Sequence, residues 1–76
     1  MSEVELIDIF ADNLRYTMKD VRISQAELAK EAGLSESTIS RYLSKERLPT
    51  VKALINLCVV LNCDVEDLIP VYDLIS

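Results

Sequence analysis

The residues that could do chemistry in this chain form a short menu. Among 76 residues there is no histidine, so the commonest general base and the commonest zinc ligand are both missing. The two cysteines, Cys58 and Cys63, cannot complete a structural zinc site without further Cys or His. Both fall in an apolar stretch with helical spacing and read as buried, reduced thiols ahead of a regulatory disulfide. No nucleophile stands beside a base, and a chain with one glycine has no glycine-rich phosphate loop. These patterns argue against an enzyme and imply no cofactor, metal or small-molecule ligand.

Charge is the remaining resource, and it is unevenly placed. The net charge is −5, which by itself argues against a polyanionic partner. The division along the chain says otherwise. Residues 1–14 carry Glu3, Glu5, Asp8 and Asp12 and no base, and residues 53–76 carry Asp64, Glu66, Asp67 and Asp73 and no base. All eight bases (Arg15, Lys19, Arg22, Lys30, Arg41, Lys45, Arg47 and Lys52) lie in residues 15–52, against five carboxylates. A weakly basic middle between acidic ends reads either as ordinary solvated helix faces or as one cationic face on an anionic body.

The elements that must carry these groups are helical throughout. Val4, Ile7, Phe10, Leu14 and Met18 recur in steps of three and four, with Leu6 and Ile9 alongside, which predicts an amphipathic helix over residues 4–18. Ser24-Gln25-Ala26-Glu27 is a capping box that opens a short helix, Gln25 to Ala32, burying Leu28, Ala29 and Ala32. Gly33 follows the last periodic residue, where the backbone needs a left-handed conformation. Ser35 caps the next helix, whose inner face is Ile39, Tyr42 and Leu43. After a polar loop from Lys45 to Pro49, Thr50 caps a fourth helix with Val51, Leu54, Leu57, Cys58 and Leu61 inward, ended by Asn62. Asp64 caps a last helix, Val65 to Ile69. Pro70 stops it, and residues 70–76 form a short apolar tail. No stretch alternates as a strand does. The expected fold is all-α, a compact five-helix bundle in a single domain over residues 1–76.

The run from Ser24 to Ser44 has a compact physical logic. Ala29 is small enough for two helices to cross closely, and Gly33 permits the sharp turn between them. Leu28, Leu34, Ile39 and Tyr42 lock the crossing, which leaves Glu36, Ser37, Ser40 and Arg41 on the outer side of the second helix. That is a helix-turn-helix, a unit whose second helix enters the major groove of DNA. The chain here resembles the Cro/phage-repressor type of helix-turn-helix DNA-binding domain. The resemblance covers about Leu14 to Ile69 and is carried by Ile23-Ser24-Gln25-Ala26-Glu27-Leu28-Ala29, Ala32-Gly33-Leu34-Ser35, Thr38-Ile39-Ser40-Arg41-Tyr42, Pro49-Thr50 and Asp64-Val65-Glu66-Asp67-Leu68.

The resemblance implies roles by position. Gln25 would contact phosphate at the start of the first motif helix. Glu36, Ser37 and Arg41 would meet base edges, Arg41 on guanine and Glu36 on a cytosine amino group. Ser40 and Thr38 would touch sugar or phosphate, and Ser35, first of all a cap, would do so second. Lys45, Arg47, Thr50 and Lys52 would grip backbone phosphates, helped by the free N–H groups of helix N-termini. Four departures from the family pattern stand out, the first being Glu36, an acid that repels phosphate wherever it does not reach a cytosine amino group. Arg22 occupies a position that is commonly glycine, and Lys45 replaces the usual loop glycine. Met18 and Leu43 stand where the family often has an Arg–Glu ion pair, which predicts a buried apolar contact in its place.

The reading is a sequence-specific transcriptional regulator of repressor type, with residues 36–43 as recognition helix and double-stranded DNA as partner. The alternative is a protein-interaction module on the same scaffold, an antirepressor or antitoxin-like partner, which the acidic surface and Glu36 would suit. Tyr42 belongs in the core ahead of any stacking role. Val59, set between inward positions, joins Val71, Tyr72, Leu74 and Ile75 in a possible apolar patch, read as a homodimer interface over simple packing of the tail. The acidic start lacks the basic run of an export signal, and the longest apolar run, residues 57–61, is too short to cross a membrane. A cytoplasmic protein is expected.

Overall fold

Capping chemistry sets the element boundaries. The computed structural model describes residues 1–74. Helix α1 runs Glu3–Val21. Ser2 caps it, its hydroxyl accepting from the Glu5 N–H at 3.2 Å. Helix α2 spans Gln25–Ala32 behind a complete capping box: the Glu27 N–H donates to Ser24 Oγ at 3.1 Å, and the Ser24 N–H donates to Glu27 Oε1 at 3.2 Å. Those two hydrogen bonds, the side-chain one first, hold the Glu27 carboxyl below its ordinary value. Helix α3 spans Glu36–Leu43 and α4 spans Val51–Leu61 behind Thr50, whose hydroxyl accepts from the Ala53 N–H at 3.1 Å. Helix α5 is Val65–Leu68 and α6 is Val71–Leu74.

The exits of α1 to α4 share one device. Gly33 adopts φ +70°, and the following Leu34 N–H returns to the Ala29 carbonyl at 2.8 Å. A Cβ at Gly33 would meet nothing within 4 Å, so backbone conformation alone selects glycine there. Arg22, Lys45 and Asn62 make the same turn without being glycine, at φ 60°, 63° and 53°.

Helix α2 packs on α3 and α4, and α1 packs on α3, α4 and α5. Their shared core holds Phe10, Leu14, Leu28, Ile39, Tyr42, Leu57, Leu61 and Leu68, all at 2% exposure or less. Phe10 meets Tyr42 edge to face, with centroids 5.5 Å apart, a contact worth about 0.5–1.5 kcal/mol beyond the area buried. Met18 and Leu43 are both buried in the same cluster, as expected for an apolar replacement of an ion pair. Side chains from distant helices satisfy three helix C-termini. Asn13 donates to the Leu68 carbonyl, Arg15 to the Leu43 carbonyl and Asn56 to the Ala32 carbonyl, at 3.1, 3.2 and 3.2 Å.

The structure departs from the sequence reading in a few places. The expected tail contains a sixth helical turn, because Pro70 offers its carbonyl to the Asp73 and Leu74 N–H groups. Helix α5 ends one residue early, since Ile69 precedes a proline and takes an extended conformation. Val4 and Val51 are not core residues but stand 70% and 76% exposed. Val51 shares an outer row of α4 with Ile55 and Val59, and Ala53 takes an inward position instead. Among the described residues there is no strand, and no helix is long and apolar enough to cross a membrane.

Candidate nucleic-acid interface

Helix α3 is divided cleanly by its period. Ile39, Tyr42 and Leu43 are buried, while Glu36, Ser37, Ser40 and Arg41 are exposed together on the outer face. Burial raises the Tyr42 phenol, and nearby Arg47 offsets part of that rise. Tyr42 is therefore a neutral core anchor holding the helix, and Arg47 lies within electrostatic reach of its hydroxyl. At the front of α3 the hydroxyls are engaged with one another. Ser35 Oγ accepts from the Thr38 N–H at 3.1 Å, and lies 2.7 Å from Thr38 Oγ1 and 3.2 Å from Ser37 Oγ. Ser35 is a cap first, and Thr38 is half-buried behind it.

Gln25, at the first position of α2, is exposed, as are Arg47, Thr50 and Lys52. Lys45 is different. Its ammonium is turned back onto α1, 3.6 Å from the carboxylates of both Asp8 and Asp12. Among the described residues it is the one cation held in ion pairs. A phosphate contact by Lys45 has to compete with two carboxylates.

A second cationic surface was not singled out from the sequence. Arg15, Lys19 and Arg22 line one groove of about 280 Å³ together with Met18, Ile23, Leu43 and Gln25. The signal was present as spacing, since residues 15, 19 and 22 fall on one helical face.

The expected dimer patch is exposed in part. Val59 and Tyr72 are 74% and 70% exposed, Leu74 is exposed and Val71 is half-buried. Ile75 lies outside the described residues. Helix α6 packs on α5 alone among the described elements. Cys58 is buried and Cys63 half-buried. Burial first, and the neighbouring Cys58 next, push the Cys63 thiol up to about 12. Burial likewise raises Cys58, so neither is a thiolate nucleophile at neutral pH. Among the described residues no acid–thiol cluster could hold a metal ion.

Comparison with known proteins places this geometry. The model of the Cro/C1-type HTH DNA-binding domain matches residues 13–73. The structure is similar to the solution structure of the SOS-response transcriptional repressor LexA from Eubacterium rectale. The TM-score is 0.81 at 26% identity, over 91% of this chain and 73% of that one. No protein of curated function matches the sequence.

Proposed function

Because the chain belongs to the Cro/C1-type helix-turn-helix DNA-binding family, and is thus a DNA-binding transcription regulator and not an enzyme, we propose that it is a repressor that reads a specific operator with α3 in the major groove. The observation that carries this reading is the division of α3. A buried triad fixes the helix on α1 and α2, and four polar side chains are exposed in one stripe. Arg41 has the donor fork for a guanine edge, and Glu36 and Ser37 extend the readout. Ser40, Thr38 and Ser35 border sugar and phosphate. Gln25, Arg47, Thr50 and Lys52 hold the backbone, and Lys45 contributes only to the extent that phosphate displaces its carboxylates. Repression as the outcome is supported by the likeness to a protein described as a transcriptional repressor.

The whole chain, residues 1–76, acts in this reading as one domain beside the chromosome in the cytoplasm. It has one α3, and its longest dimension is 35 Å, about one turn of duplex. Two successive major grooves, ~34 Å apart, therefore require two copies. Val59, Val71, Tyr72 and Leu74, with Ile75 beyond them, supply the apolar surface for that two-fold contact.

Selection of bound duplexes from a random pool tests the reading. A consensus with two related half-sites is expected, with affinity falling steeply as salt rises. An Arg41→Ala variant that selects the same consensus as the parent removes α3 from the readout. Failure of the parent to enrich any duplex favours the protein-interaction alternative.

A further inference from the structure

We infer that the groove lined by Arg15, Lys19, Arg22 and Gln25 is a second phosphate clamp, which seats the duplex backbone beside α2 and takes over the task that Lys45 is not free to perform. This inference rests on the DNA-binding reading and adds a site to it.

Three observations meet in this groove. The first is charge: three cations at one-turn spacing share a single concave surface, and none is in an ion pair among the described residues. The neighbouring carboxylate on α1, Asp20, lines a different pocket with Tyr16, Thr17 and Val21, away from the groove. Glu27, the acid nearest in sequence on α2, is tied to the Ser24 backbone. The second is continuity. Gln25 forms one wall, and it stands at the exposed N-terminus of the eight-residue α2, where N–H groups lack helical partners. The same groove reaches Leu43 at the end of α3, whose carbonyl is already satisfied by Arg15. An anion entering there meets donors on several sides and no orphan acceptor from that helix end. The third is backbone conformation. Arg22 holds φ 60°, a conformation that favours glycine. Lys45 and Asn62 hold the same conformation, so the angle by itself marks no contact; what it does here is set the Arg22 side chain among the residues that line the groove.

The floor of the groove is Met18 and Leu43, buried and uncharged. An apolar floor under a cationic rim concentrates the field at the rim and leaves no carboxylate to compete with phosphate.

The test uses the full chain and the duplex that the wild type selects from a random pool, with affinity followed against salt concentration. Three variants are compared: Lys19→Gln with Arg22→Gly, Lys30→Gln as a cation on α2 outside the groove, and Arg41→Ala. Arg22→Gly suits the left-handed turn and Lys19 is exposed, so the double variant keeps its fold, checked by helical circular dichroism. Loss of two phosphate contacts lowers the slope of log affinity against log salt by about 1.8. The ratio of wild-type to variant affinity then shrinks about tenfold between 50 and 200 mM salt. That result, with Lys30→Gln near wild type and Arg41→Ala altering sequence preference without this slope change, supports the clamp. A double variant with the wild-type slope, or one changed no more than Lys30→Gln, overturns the clamp and leaves the regulator standing. A wild type that selects no duplex overturns both.

Discussion

Two turns of this molecule share a backbone conformation and differ in what surrounds them. Arg22 after α1 and Lys45 after α3 both hold a left-handed φ near +60°, and both are bases where relatives of this fold commonly use glycine. Lys45 faces the acidic first half of α1 and is neutralised by Asp8 and Asp12. Arg22 opens onto a groove of cations with no carboxylate partner among the described residues. The same local irregularity therefore ties the α3–α4 loop to the body of the protein at one turn, and presents an unspent charge at the other. Residue type and backbone angle do not decide a base's role. The charge of the helix packed opposite does.

The comparison can be broken or sharpened by experiment. The largest effect expected is at Arg41, on the exposed face of α3. Arg41→Ala should cost about 1–3 kcal/mol of discrimination at one base position, read as a relaxed consensus at that position in both half-sites. Next is Arg22→Gly, which removes a left-handed non-glycine residue at no loss of an ion pair. Stability should rise by about 1 kcal/mol, or about 4–8 °C in Tm for a domain of this size, while DNA affinity falls. Lys45→Gly relieves the same conformation but loses an exposed ion pair worth about 0–1 kcal/mol. Its Tm should therefore rise less than that of Arg22→Gly; equal gains would mean that the Lys45 pairs contribute nothing. Asp8→Asn with Asp12→Asn should free Lys45 and make the salt dependence of DNA binding steeper by about 0.9, provided the loop faces the duplex as proposed.

The smallest effect concerns the capping box beside Arg22. The Glu27 carboxyl is held below its ordinary value of 4.5 by Ser24. Its contribution is present above the unfolded value and is lost as pH falls through the lower folded value. Glu27→Gln should be less stable than wild type above about pH 4.5 and converge with it in stronger acid, measured as urea midpoints from about pH 6 to about pH 2.

Most of the bundle was legible because its determinants are local. Ser24, Ser35, Thr50 and Gly33 mark helix ends through hydrogen bonds to residues three or four positions away, so α2 and α3 could be bounded to the residue. The inner face of α3 followed from its period. The site was legible less evenly. The exposed stripe Glu36, Ser37, Ser40 and Arg41 could be read from the same period. The engagement of Lys45 could not, because its partners lie more than thirty residues away on α1. Nor could the Arg15–Lys19–Arg22 groove be seen, since its far wall is made by Gln25 and Leu43 from two other helices. The exposed Val4 and Val51 show the limit of periodicity. It identifies an apolar residue, and packing at the helix end decides whether a neighbour covers it.

The sequence by itself determined the helices, their caps, the glycine-hinged turn and membership of a DNA-binding family. These depend on spacing and on hydrogen bonds within one or two turns. The tertiary structure alone decided which cations are free. It also decided which helix ends are closed by side chains from afar, as Asn13, Arg15 and Asn56 close α5, α3 and α2. The physical reason is range: a cap is satisfied by its own neighbours in the chain, whereas the field at a charged side chain is set by whatever the fold brings beside it.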